Sequence, residues 1–390
     1  VTMTGYIKRT PLALFREQKR GGKGRAGMQT KDEDAVTNLF VTSTHNPVLF
    51  FSNLGRVYRM KVWRLPEGGP NTKGRPMVNL LPLAEGETIS TVLPLPEDET
   101  EWGKLHIMFA TAHGTVRRNS MAAFTNVPTA GKIAMRFGLT ETGDDSEEQG
   151  DPTDRLIGVE LLTEEDDVLL ATRNGKAIRF MATDVREFQS RTSTGVRGVR
   201  LAAGDEVISM SILHRIGTTQ EEREAYLKCP PWREREDVEC ALPADRYAEL
   251  QENEQFILTI TENGYGKRSS AYEYRRTNRG GQGITNIDTS ARNGCVVASF
   301  PAHQGEALML VTDQGKMIRT TVGDIRVMGR NTQGVTIFRV AEDEHVVSVA
   351  KIEEAEEEEI EIDGGDELAP DEGATIGESE LDRPADPEPE

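Results

Sequence analysis

Cysteine is scarce: the 390 residues hold three, Cys229, Cys240 and Cys295. None stands in a CxxC pair and the number is odd. Both facts argue against a disulfide framework and a zinc site, and reduced thiols in a cytoplasmic protein are the expectation. Long apolar runs are missing too. No stretch approaches the roughly 18 residues of a spanning helix, and no membrane partner is expected. No signal-peptide pattern stands ahead of the first repeat. The chain opens at Val1-Thr2-Met3-Thr4, inside what reads as a strand, and is expected to be a domain of a longer protein. Catalytic motifs are also lacking. His45, His106, His113, His214, His303 and His345 are scattered, with no HExxH spacing. There is no GxSxG elbow, and Gly21-Gly22-Lys23-Gly24 lacks the GxxxxGK[ST] spacing of a phosphate loop. The expectation is a chain with no catalytic residue, no metal site and no cofactor of its own.

Positive charge looks deficient at first, since the formal net charge is −19. The deficit is local. Residues 351–390 carry 18 acidic and 2 basic residues, residues 144–154 carry a net −6, and residues 214–255 carry a net −5. The rest is left with a net of +8. A mildly basic body thus bears acidic appendages, and the overall charge does not exclude a polyanionic partner. Residues 353–390 are acidic, dotted with proline and free of aromatics, and are expected to be a disordered tail.

What the chain does have is a repeat. A glycine is followed four residues later by arginine at Gly5/Arg9, Gly55/Arg59, Gly114/Arg118, Gly175/Arg179, Gly264/Arg268 and Gly315/Arg319. A second glycine follows each first one after 19, 19, 17, 20, 19 and 19 residues, at Gly24, Gly74, Gly131, Gly195, Gly283 and Gly334. Four residues further on stands an apolar residue: Met28, Val78, Met135, Val199, Ile287 or Phe338.

Each unit reads as four strands. A β-rich run such as Val168–Thr172 or Leu308–Thr312 meets a polar-Gly turn such as Asn174-Gly175 or His113-Gly114, which suits a two-residue hairpin. The arginine-bearing strand follows, then a polar loop, a third strand such as Val335–Phe338, and a fourth such as Ile208–Ile212. Six such units predict an all-β, propeller-like domain over residues 1–352 with four-stranded blades. The blades fall at about 1–46, 47–103, 104–165, 166–254, 255–304 and 305–352. Blade four includes an insertion, 214–254. There, Thr219 with Glu222 forms a capping box, Pro230-Pro231 breaks the helix, and Ala244–Glu252 reads as a second helix. The insertion carries no recognisable chemistry and reads as a solvated helical excursion.

Radial symmetry puts equivalent residues on one circle. With that circle on the outer edge, Arg9, Arg59, Arg118, Arg179, Arg268 and Arg319 make a cationic belt, joined by Lys8, Arg56, Arg117, Lys176, Lys267 and Lys316. The loops before the second glycine and the strands after it add Lys73, Arg75, Lys132, Arg197 and Arg279. Duplex DNA carries one charge per roughly 1.7 Å, so such a belt binds it without reading its sequence. The densest loop is Gln18-Lys19-Arg20-Gly21-Gly22-Lys23-Gly24. Its glycines let the backbone approach phosphates closely, its three cations supply charge, and Gln18 can reach a phosphate or a base edge.

That heptad resembles the gyrase-A box, Gln-Arg/Lys-Arg-Gly-Gly-Arg/Lys-Gly, with Lys19 where arginine is commoner. Residues 55–62, 74–83 and 195–201 also match, and the whole of 1 to about 352 is similar to the C-terminal domains of bacterial DNA gyrase A subunits, which are type IIA topoisomerases. The resemblance implies a six-bladed β-pinwheel whose blades exchange strands. It implies wrapping of double-stranded DNA around the rim with a positive crossing, which enables ATP-dependent negative supercoiling by the full enzyme. It further implies a parent A2B2 heterotetramer that uses ATP and Mg on other domains, a cytoplasmic, nucleoid-associated setting, a domain monomeric by itself, and an acidic tail that tunes wrapping. Two rivals stand beside it. The corresponding domain of topoisomerase IV lacks the heptad. A propeller-type protein-interaction scaffold predicts no salt-dependent DNA binding.

Overall fold

The computed structural model describes residues 1–2, 4–11, 40–69, 72–137, 153–233, 240–314 and 316–353. The heptad Gln18–Gly24, most of the acidic loop 144–154 and the tail beyond Glu353 lie outside them. The repeat appears directly as strands. Unit one supplies β1 (Tyr6–Ile7), and unit two supplies β2 (Pro47–Ser52), β3 (Arg56–Lys61), β4 (Arg75–Pro76) and β5 (Ile89–Pro94). Unit three supplies β6 (His106–Thr111), β7 (Thr115–Ser120), β8 (Lys132–Ile133) and β9 (Leu156–Leu162). Unit four supplies β10 (Asp167–Thr172), β11 (Lys176–Met181), β12 (Val196–Arg197) and β13 (Val207–Leu213). Unit five supplies β14 (Phe256–Thr261), β15 (Tyr265–Ser270), β16 (Ile284–Thr285) and β17 (Val296–Pro301), and unit six β18 (Glu306–Thr312), β19 (Met317–Thr321), β20 (Val335–Thr336) and β21 (Val346–Glu353).

Sheets do not coincide with units. The orders β5-β2-β3-β8, β9-β6-β7-β12, β13-β10-β11-β16 and β17-β14-β15-β20 each end on a strand donated by the following unit. The last sheet, β19-β18-β21, has three strands, and unit one shows only the pair β1-β4. The described residues therefore build five blades and a two-stranded remnant rather than six four-stranded blades. Residues 12–39 of unit one lie outside the described residues. The donated strands are also shorter than the sequence suggests: Val335–Phe338 yields a two-residue strand, Val335–Thr336.

The fourth strand of each unit is innermost. β5 packs on β9, β9 on β13, β13 on β17 and β17 on β21. Each first strand is consequently covered on both sides, and all six residues of β2 and of β10 are buried. Two-sided burial explains why these strands read as continuous apolar runs rather than alternating ones. Cores form between successive blades, as where Phe51, Phe109 and Phe124 meet with centroids 5.6–6.0 Å apart. Each such ring removed from water contributes about 1.5–3 kcal/mol.

Both landmark glycines have a backbone reason. Gly55, Gly114, Gly175 and Gly264 turn hairpins at φ of 71–82°. The second glycine presses on the receiving blade: a Cβ on Gly334 would stand 2.5 Å from the Gly266 carbonyl oxygen, and one on Gly283 2.6 Å from that of Ala177. The apolar landmark holds with one correction. Met135, Val199 and Ile287 are buried, but in unit two Met77 takes that place and Val78 is 62% exposed. There Met77 N–H, not that of Val78, bonds the Gly5 carbonyl.

The insertion forms α1 (Gln220–Lys228), with Thr219 and Glu222 in the expected capping box, and α2 (Ala244–Glu252). Tyr226 and Leu250 pack on Tyr272 of blade five, with Tyr226 and Tyr272 centroids 5.3 Å apart. This packing joins the two arms of the insertion, and Cys229 and Cys240 form a disulfide across 11 positions. The expectation of reduced thiols is thereby corrected for that pair, which shared no recognisable spacing; Cys295 remains a free thiol. No helix among the described residues is long and apolar enough to cross a membrane.

Candidate nucleic-acid interface

The arginine four residues after the first glycine sits on the second strand of its blade. That strand lies between the first strand and the donated one, so its side chains point into interblade seams. Arg118 is 5% and Arg268 7% exposed, and their Nε atoms donate to the carbonyls of Val185 at 2.8 Å and Ile325 at 2.6 Å. Arg9 donates to Leu65 and pairs with Glu67 at 2.7 Å. Arg59 pairs with Glu99 and donates to the Thr125 carbonyl. Arg179 binds the buried Asp167 at 2.8 Å and the carbonyl of Ala271. These five arginines latch each blade to the segment arriving from the next unit. Burial removes Arg118 and Arg268 from a DNA-facing rim, and carbonyl and carboxylate partners occupy the half-buried Arg9, Arg59 and Arg179; Arg319 alone of the set is exposed.

The preceding position behaves alike in alternate units. Arg117 and Lys267 are fully buried. Lys267 Nζ donates to the carbonyls of Gly329, Arg330 and Thr332, and Lys8 Nζ to those of Gly69 and Thr72. Arg117 reaches the carbonyls of Ala134, Arg191 and Ser193. Burial, with Arg191 alongside, pushes Arg117 down to about 9, and burial pushes Lys267 down to about 7. Arg117 and Lys267 are therefore also corrected from rim contacts to internal plugs for carbonyls, and the half-buried Lys8 holds carbonyls in the same way. Units two, four and six place Tyr58, Ile178 and Ile318 there instead.

The outer edge is built by the donated strands and their flanks. Arg75 and Arg197 on those strands are exposed, as are Lys176 and Lys316 beside the hairpin turns. Lys73 stacks over the Tyr6 ring at 4.4 Å. Lys132 and Arg56 are half-buried and donate to the carbonyls of Asn126 and Ala130. Lys316 pairs with Glu344 at 2.5 Å. Three further exposed arginines, Arg136, Arg200 and Arg339, escaped the sequence reading. Each stands five residues after its second glycine, a recurrence the repeat already contained.

The heptad's counterpart in unit five is described: Thr277-Asn278-Arg279-Gly280-Gly281-Gln282-Gly283. It is stitched to the donated segment of unit four. Gly280 N–H bonds the Gly198 carbonyl at 2.6 Å, Arg200 N–H bonds that of Gly281 at 2.8 Å, and Arg279 donates to the carbonyls of Asp184 and Arg197. Arg279 and the Gly280 amide are thus committed internally, not offered to a phosphate as expected. Gly281 and Gln282 face solvent.

Strand-exchanged blades with a recurrent cationic outer edge define a class of propeller-like protein. A family model described as "DNA gyrase C-terminal domain, beta-propeller" matches residues 1–43, 46–96, 166–214, 255–298 and 306–353. The chain belongs to this family. It is 48% identical over 370 residues to the DNA gyrase A subunit of Rickettsia prowazekii, covering 92% of this chain and 39% of that one. It is 37% identical over 373 residues to the DNA gyrase A subunit of Escherichia coli, covering 94% and 36%. The chain thus spans about two-fifths of the length of the curated relatives it matches. Among solved structures, the C-terminal domain of DNA topoisomerase IV aligns with a TM-score of 0.67 at 21% identity, over 90% of this chain and 92% of that one. The DNA gyrase A C-terminal domain aligns at 0.58 and 22%, over 90% and 98%. Both likenesses show the fold alone.

Proposed function

We propose that this domain wraps double-stranded DNA around the edge made by its donated strands, and that Gln18–Gly24 pins one end of the wrap. The observation that carries the reading is the recurrence of exposed arginines at fixed offsets from the second glycine, Arg136, Arg200 and Arg339, beside Arg75 and Arg197. Bending DNA over a few tens of base pairs costs several kcal/mol, because its persistence length is about 150 base pairs. A continuous row of phosphate contacts offsets that cost along the path. An evenly charged row alone lets the duplex slide, and the heptad's three cations break that evenness.

In this reading the whole protein acts with partner subunits in an A2B2 assembly in the cytoplasm. ATP and Mg are used on other parts of the assembly, and the chirality of the wrap sets the sign of supercoiling. Family membership and the resemblance of the heptad support it. The test is topology-resolved ligation of circular DNA with the domain, followed by replacement of Gln18–Gly24 with alanines in the complete enzyme. Wrapping of one sign, with supercoiling lost and ATP-independent relaxation kept, supports the assignment. Full supercoiling by the alanine variant sinks the pinning role. Binding that does not weaken with salt favours a protein-interaction scaffold instead.

A further inference from the structure

The outer edge has a gap. Donated strands β4, β8 and β12 carry Arg75, Lys132 and Arg197, whereas β16 (Ile284–Thr285) and β20 (Val335–Thr336) carry no cation; β20 is followed by Arg339, but β16, on the edge of blade four, leads into Asn286-Ile287-Asp288. The insertion is anchored beside this gap. Its α1 packs on the short turn Ala271–Glu273, through Tyr226 against Tyr272. The chain then runs through Arg275 and Arg276 into loop 277–283, whose Thr277 N–H bonds the Arg179 carbonyl at 2.8 Å.

Two arginines line a cleft there, and two more stand nearby. Arg215 and Arg276 line an open cleft of about 460 Å³ with Gly217, Thr218, Thr219 and Glu165. Arg223, on α1, lies within electrostatic reach of both Arg275 and Arg276. The local carboxylates are too few to neutralise them. Asp167 is shared between Arg179 at 2.8 Å and Arg276 at 3.8 Å. Glu165 lines the cleft and Glu224 stands near Arg223. Arg215, Arg223 and Arg275 make no ion pair with any described residue; the Arg215 guanidinium donates to the Met181 sulfur at 3.4 Å. Burial lowers the Arg223 pKa, and the two neighbouring arginines push the same way. Like charges held together without enough counter-charge are costly until an anion arrives. Guanidinium forks match phosphate oxygens bidentately.

We propose that Arg215 and Arg276 line a phosphodiester-binding cleft at the 214–254 insertion, with Arg223 and Arg275 beside it, which grips the DNA backbone as it passes blade four. The proposal rests on the wrapping reading and adds to it a contact that the repeat does not encode. The insertion, net acidic as a whole, brings Arg215 and Arg223 beside Arg275 and Arg276, which lead into the loop ahead of β16. A duplex is favoured over an acidic peptide because the cleft adjoins loop 277–283, and hence continues the row through Arg197 and Arg200.

The test measures affinity of the full 390-residue chain for a 60-base-pair duplex of random sequence, about half a persistence length, as salt is raised. Arg223→Gln with Arg275→Gln spares the Arg276–Asp167 contact and should reduce the log–log salt slope by about 2, one per lost phosphate contact. Arg223→Lys with Arg275→Lys keeps the charge and should retain the slope, which separates a lost contact from a misfolded protein. The wild-type slope in a folded glutamine variant overturns the cleft while leaving wrapping intact. A wild-type chain with no salt-dependent affinity overturns both. Repeating the comparison with the acidic residues of 354–390 neutralised to Gln and Asn identifies the occupant. A difference that persists supports DNA, and one that vanishes assigns the cleft to the tail and overturns the proposal.

Discussion

Lys267 Nζ donates to the carbonyl of Gly329 at 2.8 Å, across 62 positions of chain and from one repeat into the next. The same ammonium reaches Thr332 O at 3.0 Å, so a fully buried cation sits among carbonyls of the segment that leads into β20. The carbonyls that accept its protons offset part of the burial cost that lowers its pKa to about 7. Its role is to hold a donated strand only two residues long, Val335–Thr336.

Removing that donor should destabilise the domain without touching its partner. Lys267→Met removes the Nζ donor shared by the carbonyls of Gly329, Arg330 and Thr332, at about 1–3 kcal/mol. Urea unfolding should report the loss. The salt slope of DNA binding should stay at the wild-type value, and a reduced slope would return Lys267 to the interface.

The opposite pattern is expected on the outer edge. Arg200→Ala and Arg339→Ala should each change stability by less than about 0.5 kcal/mol. Each should flatten the log–log salt dependence of DNA affinity by about 1. Isothermal titration at several salt concentrations separates these outcomes from those of Arg118→Ala, which should unfold more readily.

The contrast marks what the sequence could and could not show. Six units, the hairpin turns and both insertion helices were legible because glycine spacing, apolar runs and the Thr219–Glu222 capping box are local signals. The exchange of strands came only with the family resemblance, since nothing local says which sheet Val196–Arg197 joins. Without that geometry, a repeated arginine reads as a surface belt, although Arg118 and Arg268 face the seams. The true edge signal, Arg136, Arg200 and Arg339, was present but partial, appearing in three units of six. Cys229 and Cys240 are joined by the packing of α1 and α2, which spacing alone does not reveal.

Blade six should be acid-sensitive through one carboxylate. Glu344 is 1% exposed and accepts hydrogen bonds from Lys316, Thr312 and the Ala341 amide, which hold its pKa down to about 2 from 4.5. A depressed carboxylate pKa contributes stability that is complete above pH 4.5 and is lost as pH falls through 4.5 toward 2. The melting temperature of Glu344→Gln should therefore lie below wild type at pH 6, with the gap closing toward pH 2. A gap that does not change with pH would show that this carboxyl titrates normally.

The acidic tail should compete for the cationic edge. Residues 351–390 carry 18 acidic against 2 basic residues. Neutralising the acids of 354–390 should tighten duplex binding, most at low salt, where the Debye length reaches about 30 Å at 0.01 M. Equal affinity at low salt for the two forms would refute the competition.

Strand donation also sets how the domain bears load. A stiff duplex bent against the edge pulls outward on strands such as β8 and β12. Each is hydrogen-bonded to one blade and covalently continuous with the innermost strand of the next. Tension on any edge is thus divided between two neighbouring cores, with buried arginines such as Arg118 acting as rivets at the joint. A series of blades linked this way resists peeling at a single contact, and it yields only when adjoining blades give way together.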